Sequence, residues 1–258
     1  ILGRMAGASP PPMMYDFHLA AMLPAVFNTE SAAMLTRIFE MSERYEMPKN
    51  SIRFSIIDSH DGKSVRGSMD LLTVSERQRL AETVAANGGR IKYKSVPTRC
   101  LPAAEFEEIC REAGIDFHAA RGKLFKTAPA GNGVMELKDD IRSAEQAAGA
   151  LNMSLEGASD NKALDYLINK AIHGREPYEL CVATWDALTR IEHPDLEARR
   201  YLALYTLGFA LMGRHIKSIY FNDLMGLPND YGRMAETGEL RDIKRTRSLL
   251  SELSAKLA

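Results

Sequence analysis

Ile52-Arg53-Phe54-Ser55-Ile56-Ile57 runs directly into Asp58-Ser59-His60-Asp61-Gly62. The first part is rich in β-branched and aromatic residues and the second is polar. That is the profile of a strand delivering polar side chains at its C-terminal end. Upstream, a Pro-rich stretch at 9–12 precedes Met13-Met14-Tyr15-Asp16-Phe17, a short apolar run that reads as a second, buried strand. Downstream, 216–221 reads as a third strand, followed by a loop over 222–231.

Helical patterns fill the intervals. One covers 18–28. A second covers 30–46, with Thr29 as N-cap and Leu35, Ile38, Phe39 and Ser42 along one face, and Pro48-Lys49-Asn50 ends it. Thr73-x-x-Glu76 has the spacing of a capping box and opens a helix to Asn87, where Gly88-Gly89 stop it. Pro177-Tyr178 opens a helix to about Arg190. Pro194 opens a long apolar helix through Met212 that Gly213 ends, and a terminal helix is expected over 240–257. From 95 to 173 the pattern is mostly amphipathic helix with Gly-rich breaks, as at 128–133.

Strands alternating with helices point to parallel βαβ units, with the three strands adjacent. Three strands are too few to close a barrel of eight. The expected organisation is therefore a barrel segment over 1–94, a helical insertion over 95–173 and a second barrel segment over 174–258.

Bulk properties narrow the function. The 258 residues carry a net charge of −1, with a short basic stretch at 241–247, which argues against a general nucleic-acid binder. No apolar run approaches the ~20 residues needed to cross a bilayer. Cys100, Cys110 and Cys181 are an odd set without CxxC spacing, so neither a zinc knuckle nor a disulfide framework is suggested, and a reducing, cytoplasmic setting fits. The chain begins at Ile1, and Ile1-Leu2-Gly3-Arg4 lacks signal-peptide order; the expectation is the interior of a longer protein.

Asp61 is the focus of chemistry. Functional groups in parallel α/β proteins collect where strands end, and His60-Asp61-Gly62 sits at such an end. A carboxylate and an imidazole held there can grip vicinal sugar hydroxyls or stabilise positive charge developing at an anomeric carbon. Asp-Gly is equally a common turn pair, and a helix-cap-plus-turn reading explains the same residues. A metal reading through Asp58, His60 and Asp61 is weaker, because two ligands on one strand end do not define a site.

Ile56-Ile57-Asp58-Ser59-His60-Asp61-Gly62 resembles the histidine–aspartate motif of the alpha-amylase clan, glycoside hydrolase family 13, which falls after that family's seventh barrel strand. The wider pattern is most similar to the sucrose-phosphorylase branch and its glucosylglycerate-phosphorylase relatives. Tyr15-Asp16-Phe17 with the following helix resembles the branch's sixth strand, and Gly89-Arg90-Ile91-Lys92-Tyr93-Lys94 the segment after the motif loop. Pro177-Tyr178-Glu179-Leu180 with Trp185-Asp186-Ala187-Leu188 is similar to the substrate loop and its helix. Ile219-Tyr220-Phe221-Asn222-Asp223-Leu224-Met225-Gly226, Asn229-Asp230 and Arg241-Asp242-Ile243-Lys244-Arg245 resemble the eighth strand and the terminal arginine motif. The resemblance covers nearly the whole chain except 95–173.

The resemblance implies an α/β fold, a partial (β/α)8 TIM barrel of about strands six to eight. It implies a retaining α-glucosyl phosphorylase that transfers a glucosyl unit to phosphate without a cofactor or metal. Its partners would be a glucoside, inorganic phosphate and the missing N-terminal half of the barrel. Asp61 would stabilise the transition state and His60 would hold glucosyl hydroxyls. Arg241 or Arg245 would lie near the pocket floor, and Tyr178 and Glu179 on a mobile loop admitting acceptor or phosphate. For the arginines the sequence alone favours a solvated helix face. The nucleophile and acid/base of a retaining mechanism would lie upstream, since no Gly-x-Arg-x-Asp run occurs before position 50. Two departures stand out: Lys63-Ser64 where smaller or apolar residues are usual, and Cys181 where a polar residue, commonly Asn, is expected. Alternatives are a hydrolase or transglucosidase of the same fold, or a non-catalytic degenerate half-barrel used for protein contacts.

Overall fold

The computed structural model describes residues 13–44, 51–68, 70–96, 99–126, 133–142, 144–151, 170–247 and 254. In chain order the elements begin with β1 (Met13–Asp16), α1 (His18–Thr29), α2 (Ala32–Arg44), β2 (Ile52–Ile56), β3 (Lys63–Ser64), α3 (Val74–Ala86) and β4 (Arg90–Ser95). Next come β5 (Cys100–Pro102), α4 (Ala103–Ala113), α5 (Phe117–Leu124), β6 (Val134–Glu136), α6 (Ala144–Ala150) and β7 (Arg175–Cys181). The last are α7 (Thr184–Ala187), α8 (Pro194–Leu211), β8 (Ile216–Ser218), α9 (Phe221–Leu224), α10 (Tyr231–Thr237) and a 3-10 turn, Leu240–Lys244. The expected breaks at 9–12, 48–50 and 128–132 and the stretches 248–253 and 255–257 of the expected terminal helix lie outside the described residues; that helix's expected start is instead the 3-10 turn Leu240–Lys244, followed by irregular chain to Arg247. No helix among the described residues is long and apolar enough to cross a membrane.

The chain divides into two compact units. The first comprises Ile1–Leu71, Thr83–Arg90 and Leu180–Ala258; the second comprises Leu72–Glu82 and Ile91–Glu179.

The first unit is built on a parallel sheet of order β1-β2-β8. Met13 pairs with Ile52 and Asp16 with Ser55, while Phe54 pairs with Ile216 and Ile56 with Ser218. The three strands expected from sequence are thus parallel neighbours. Helix α1 covers this sheet and is buried from Leu19 to Val26, as a helix apolar on every side must be. Helix α8 crosses so closely that a Cβ on Gly208 would meet Ile57 Cδ1 at 2.6 Å and Leu23 Cδ1 at 2.9 Å. Glycine is therefore the residue that lets α8 lie on α1 and β2.

Local details differ from the sequence reading. Thr29 does not cap the second helix: it ends α1, with its hydroxyl donating to Ala25 O at 2.8 Å, and Ser31 Oγ accepts from Met34 N instead. Met34 and Ile38 face inward on α2, whereas Phe39 is 52% exposed. The run 216–221 is strand only to Ser218, because Phe221 already opens α9.

In the second unit the capping box of α3 forms as expected. Thr73 N donates to Glu76 Oε2 at 2.8 Å and Glu76 N to Thr73 Oγ1 at 3.3 Å. β5 and β6 pair antiparallel, and α4 and α5 pack with them around Leu101, Phe106, Phe125, Met135 and Leu137. The Phe106 and Phe125 rings meet edge-on at 4.7 Å. Gly114, at φ 65°, closes α4, and Asp116 caps α5. The segment expected to be mostly helical thus also carries two short strands. β4 and β7 are neighbours in a second sheet. The helix expected from Pro177 to Arg190 is instead strand β7 followed by the single turn α7. Burial explains this: Glu176, Pro177 and Glu179–Cys181 are all buried, and a strand covered on both faces shows no two-residue alternation.

Candidate active site

The C-terminal ends of β1, β2 and β8 open onto a cleft of about 330 Å³ in the first unit. Tyr15, Phe17, Phe54, Tyr220 and Phe221 give it aromatic walls, and Asp58, His60 and Asp61 line its polar end. Side-chain alternation sends Phe54, Ile56 and Asp58 to this face and Ile57 toward the helices. Tyr15 and Phe17 stack with centroids 5.8 Å apart, and Tyr15 meets Phe54 edge-on at 5.3 Å. Flat aromatic surface beside polar groups suits the apolar faces and hydroxyls of a sugar ring.

Four of the six residues singled out from sequence meet here. Arg241 Nη1 donates to Asp61 Oδ1 at 3.0 Å, and Arg245 Nη2 lies 3.6 Å from the same oxygen. Arg245 Nε donates to the His60 carbonyl at 2.9 Å, and His60 Nε2 lies 3.7 Å from Asp61 Oδ1. The Asp61 side chain is 49% exposed, so one face of the carboxylate still meets solvent. Tyr178 and Glu179 fall in the second unit, on β7, where Glu179 is buried and Tyr178 half-buried.

Behind Asp61 lies a charged cluster, and Asp58 is its centre. Lys244 Nζ donates to Asp58 Oδ1, and Lys63 Nζ lies 2.5 Å from Asp58 Oδ2. Both lysines are 1% exposed. Thr184 Oγ1 accepts from Lys63 at 2.8 Å and sits 2.9 Å from Asp58 Oδ2 and 3.0 Å from Asp223 Oδ2. A hydroxyl has one proton, and Asp58 is already served by two ammonium groups. The consistent assignment is that Thr184 donates to Asp223. Tyr205 OH donates to the same Asp223 oxygen at 2.5 Å.

Two carboxylates and two ammonium groups make the cluster electrically neutral, which is what allows four charges to stay buried. Burial alone would raise Asp58, but the charges of Lys244 and Lys63 outweigh it and hold the carboxyl well below the usual range. Asp223 moves the opposite way, raised first by burial and then by the nearby charge of Asp58. Burial lowers Lys244 to about 8 despite its bond to Asp58.

Sequence reasoning named Asp58 as a conceivable metal ligand and Lys63 as a departure; it did not pair either with Lys244, Thr184 or Asp223. The available signal was the unusual Lys63 directly after the strand-end motif. Trp185, Tyr201, Tyr205 and Phe209 form a run of tilted ring contacts along α8, with centroids 5.1, 5.1 and 6.1 Å apart, and Tyr201 OH donates to the Asp223 carbonyl at 2.6 Å.

No family model matches the chain. Over 88 residues, 33% of its length, it is 35% identical to a glucosylglycerate phosphorylase from Allomeiothermus silvanus, of which the match covers 16%. Its fold matches the crystal structure of sucrose 6F-phosphate phosphorylase from Thermoanaerobacter thermosaccharolyticum, with a TM-score of 0.50 at 16% identity. That match covers 95% of this chain and 33% of the solved one, so the chain spans about a third of its structural neighbour.

Proposed function

We propose that this chain is part of a retaining α-glucosyl phosphorylase of the alpha-amylase clan, in which β1, β2 and β8 are about strands six to eight of a (β/α)8 barrel. The observation carrying this reading is the meeting of His60-Asp61 with Arg241 and Arg245 at the C-terminal strand ends, over an aromatic-walled cleft. Loops at that end of parallel strands are where such folds place their chemistry. The partial likeness to a glucosylglycerate phosphorylase supports the phosphorylase branch.

In this mechanism Asp61 stabilises the oxocarbenium-like charge that develops at the anomeric carbon. Arg241 and Arg245 orient its carboxylate, and His60 holds glucosyl hydroxyls. The nucleophile, the acid/base and the remaining strands come from the rest of the protein, and the segment 95–173 is an insertion in the barrel. The substrates are a glucoside and inorganic phosphate.

The test is release of glucose 1-phosphate from glucosylglycerate or sucrose by the full-length protein, with and without phosphate. Phosphate-dependent cleavage supports the phosphorylase, and phosphate-independent release of glucose makes it a hydrolase of the same fold. Binding of neither sugar leaves a non-catalytic half-barrel.

A further inference from the structure

We infer that Lys244 is a positioning residue for Asp61, acting through Asp58 as a buried tether between the two segments that build the site; this rests on the role proposed above for Asp61. The tether is a continuous series of contacts. Lys244 Nζ donates to Asp58 Oδ1, and Ser59 N donates to the same oxygen at 2.9 Å. Ser59 Oγ in turn accepts from Asp61 N at 3.1 Å. The backbone of the Asp61 loop is thus hung on a carboxylate whose other partner comes from 186 residues away.

The geometry of the far segment explains why this matters. Lys244 ends the 3-10 turn Leu240–Lys244 that also presents Arg241, with Arg245 next in the chain. The same short turn therefore grips the same loop twice: inside through Lys244 and Asp58, outside through the arginines and Asp61. The outer contacts are partly exposed and weak singly. The inner one is dry, and losing one partner leaves a buried charge uncompensated, so it resists opening. A group acting in the transition state must be held to within about 0.5 Å, and exposed ion pairs alone do not hold a loop to that tolerance.

The experiment compares wild type with Lys244→Met, Lys244→Arg and the paired change Asp58→Asn with Lys244→Met in the full-length protein. The paired variant keeps the cluster neutral, with Lys63 opposite Asp223, and replaces Lys244→Met should that single variant not fold. Amide hydrogen exchange at Ser59 and Asp61 should accelerate about ten-fold or more in Lys244→Met or the paired variant, and return toward wild type in Lys244→Arg. Where the enzyme turns over, kcat should fall about ten-fold with KM within two-fold, since the sugar contacts remain. Unchanged exchange at Ser59 and Asp61 in a folded variant overturns the inference. A wild-type protein that turns over no glucoside defeats the proposed function only, and the exchange result still decides the tether.

Discussion

Arg241 Nη1 donates to Asp61 Oδ1 at 3.0 Å, a contact between residues 180 positions apart in the chain. Arg245 approaches the same oxygen from 3.6 Å. The carboxylate is held by two guanidinium groups on one side and faces the cleft on the other.

Asp61→Asn keeps the shape of the side chain and removes its charge. If the charge acts in the transition state, kcat should drop on the order of 10²–10³-fold. If Asp61 is a turn residue only, the change costs about 1 kcal/mol of stability or less and leaves turnover near normal. Melting temperature and kcat measured together separate these outcomes.

Arg241→Met should leave stability within about 1 kcal/mol of wild type, because the pair it breaks is partly exposed. Activity should fall more than stability, as the Asp61 carboxylate loses one of its two orienting partners. Equal loss of both would make Arg241 a structural residue.

Asp58 dictates an acid limit to stability. Its folded carboxyl lies below the unfolded value of about 4, so its contribution is complete above that pH and is lost as pH falls toward the folded value. Asp223 has the opposite sign: raised when folded, it contributes below its unfolded value and loses that contribution as pH rises through the folded one. Urea midpoints between pH 5 and 2 should fall less steeply for Asp58→Asn than for wild type. At neutral pH Asp58→Asn should be destabilised by about 3–5 kcal/mol, with two buried lysines left facing one carboxylate. Parallel pH curves for the two proteins would remove Asp58 as the acid-sensitive group.

Gly208→Ala tests the seating of α8. The added methyl would stand 2.6 Å from Ile57 Cδ1, so either that side chain or the helix must move. Overpacking of this kind costs about 1–3 kcal/mol, against a gain of at most about 1 kcal/mol in helix propensity. Thermal unfolding should therefore show a lower midpoint, and a raised one would mean that the helix contact is looser than described.

What the amino-acid sequence determined by itself was local and periodic. The strand into Asp58, its two parallel partners, the Thr73–Glu76 capping box and the Pro194 helix start all follow from short-range spacing, because side-chain period and backbone capping act within a few residues. The strand β7 was hidden because burial on both faces erases the alternation that marks a strand. A lysine enters a core only beside a partner: Lys63 finds Asp58 within its own strand-end segment, but Lys244 reaches the same carboxylate from 186 positions away, which no local spacing announces. The gathering of Asp61, His60, Arg241 and Arg245 belongs equally to tertiary structure. Residue types announce what chemistry they can do, but which of them meet across 180 positions is decided by the path of the chain and by the buried charges that must find each other.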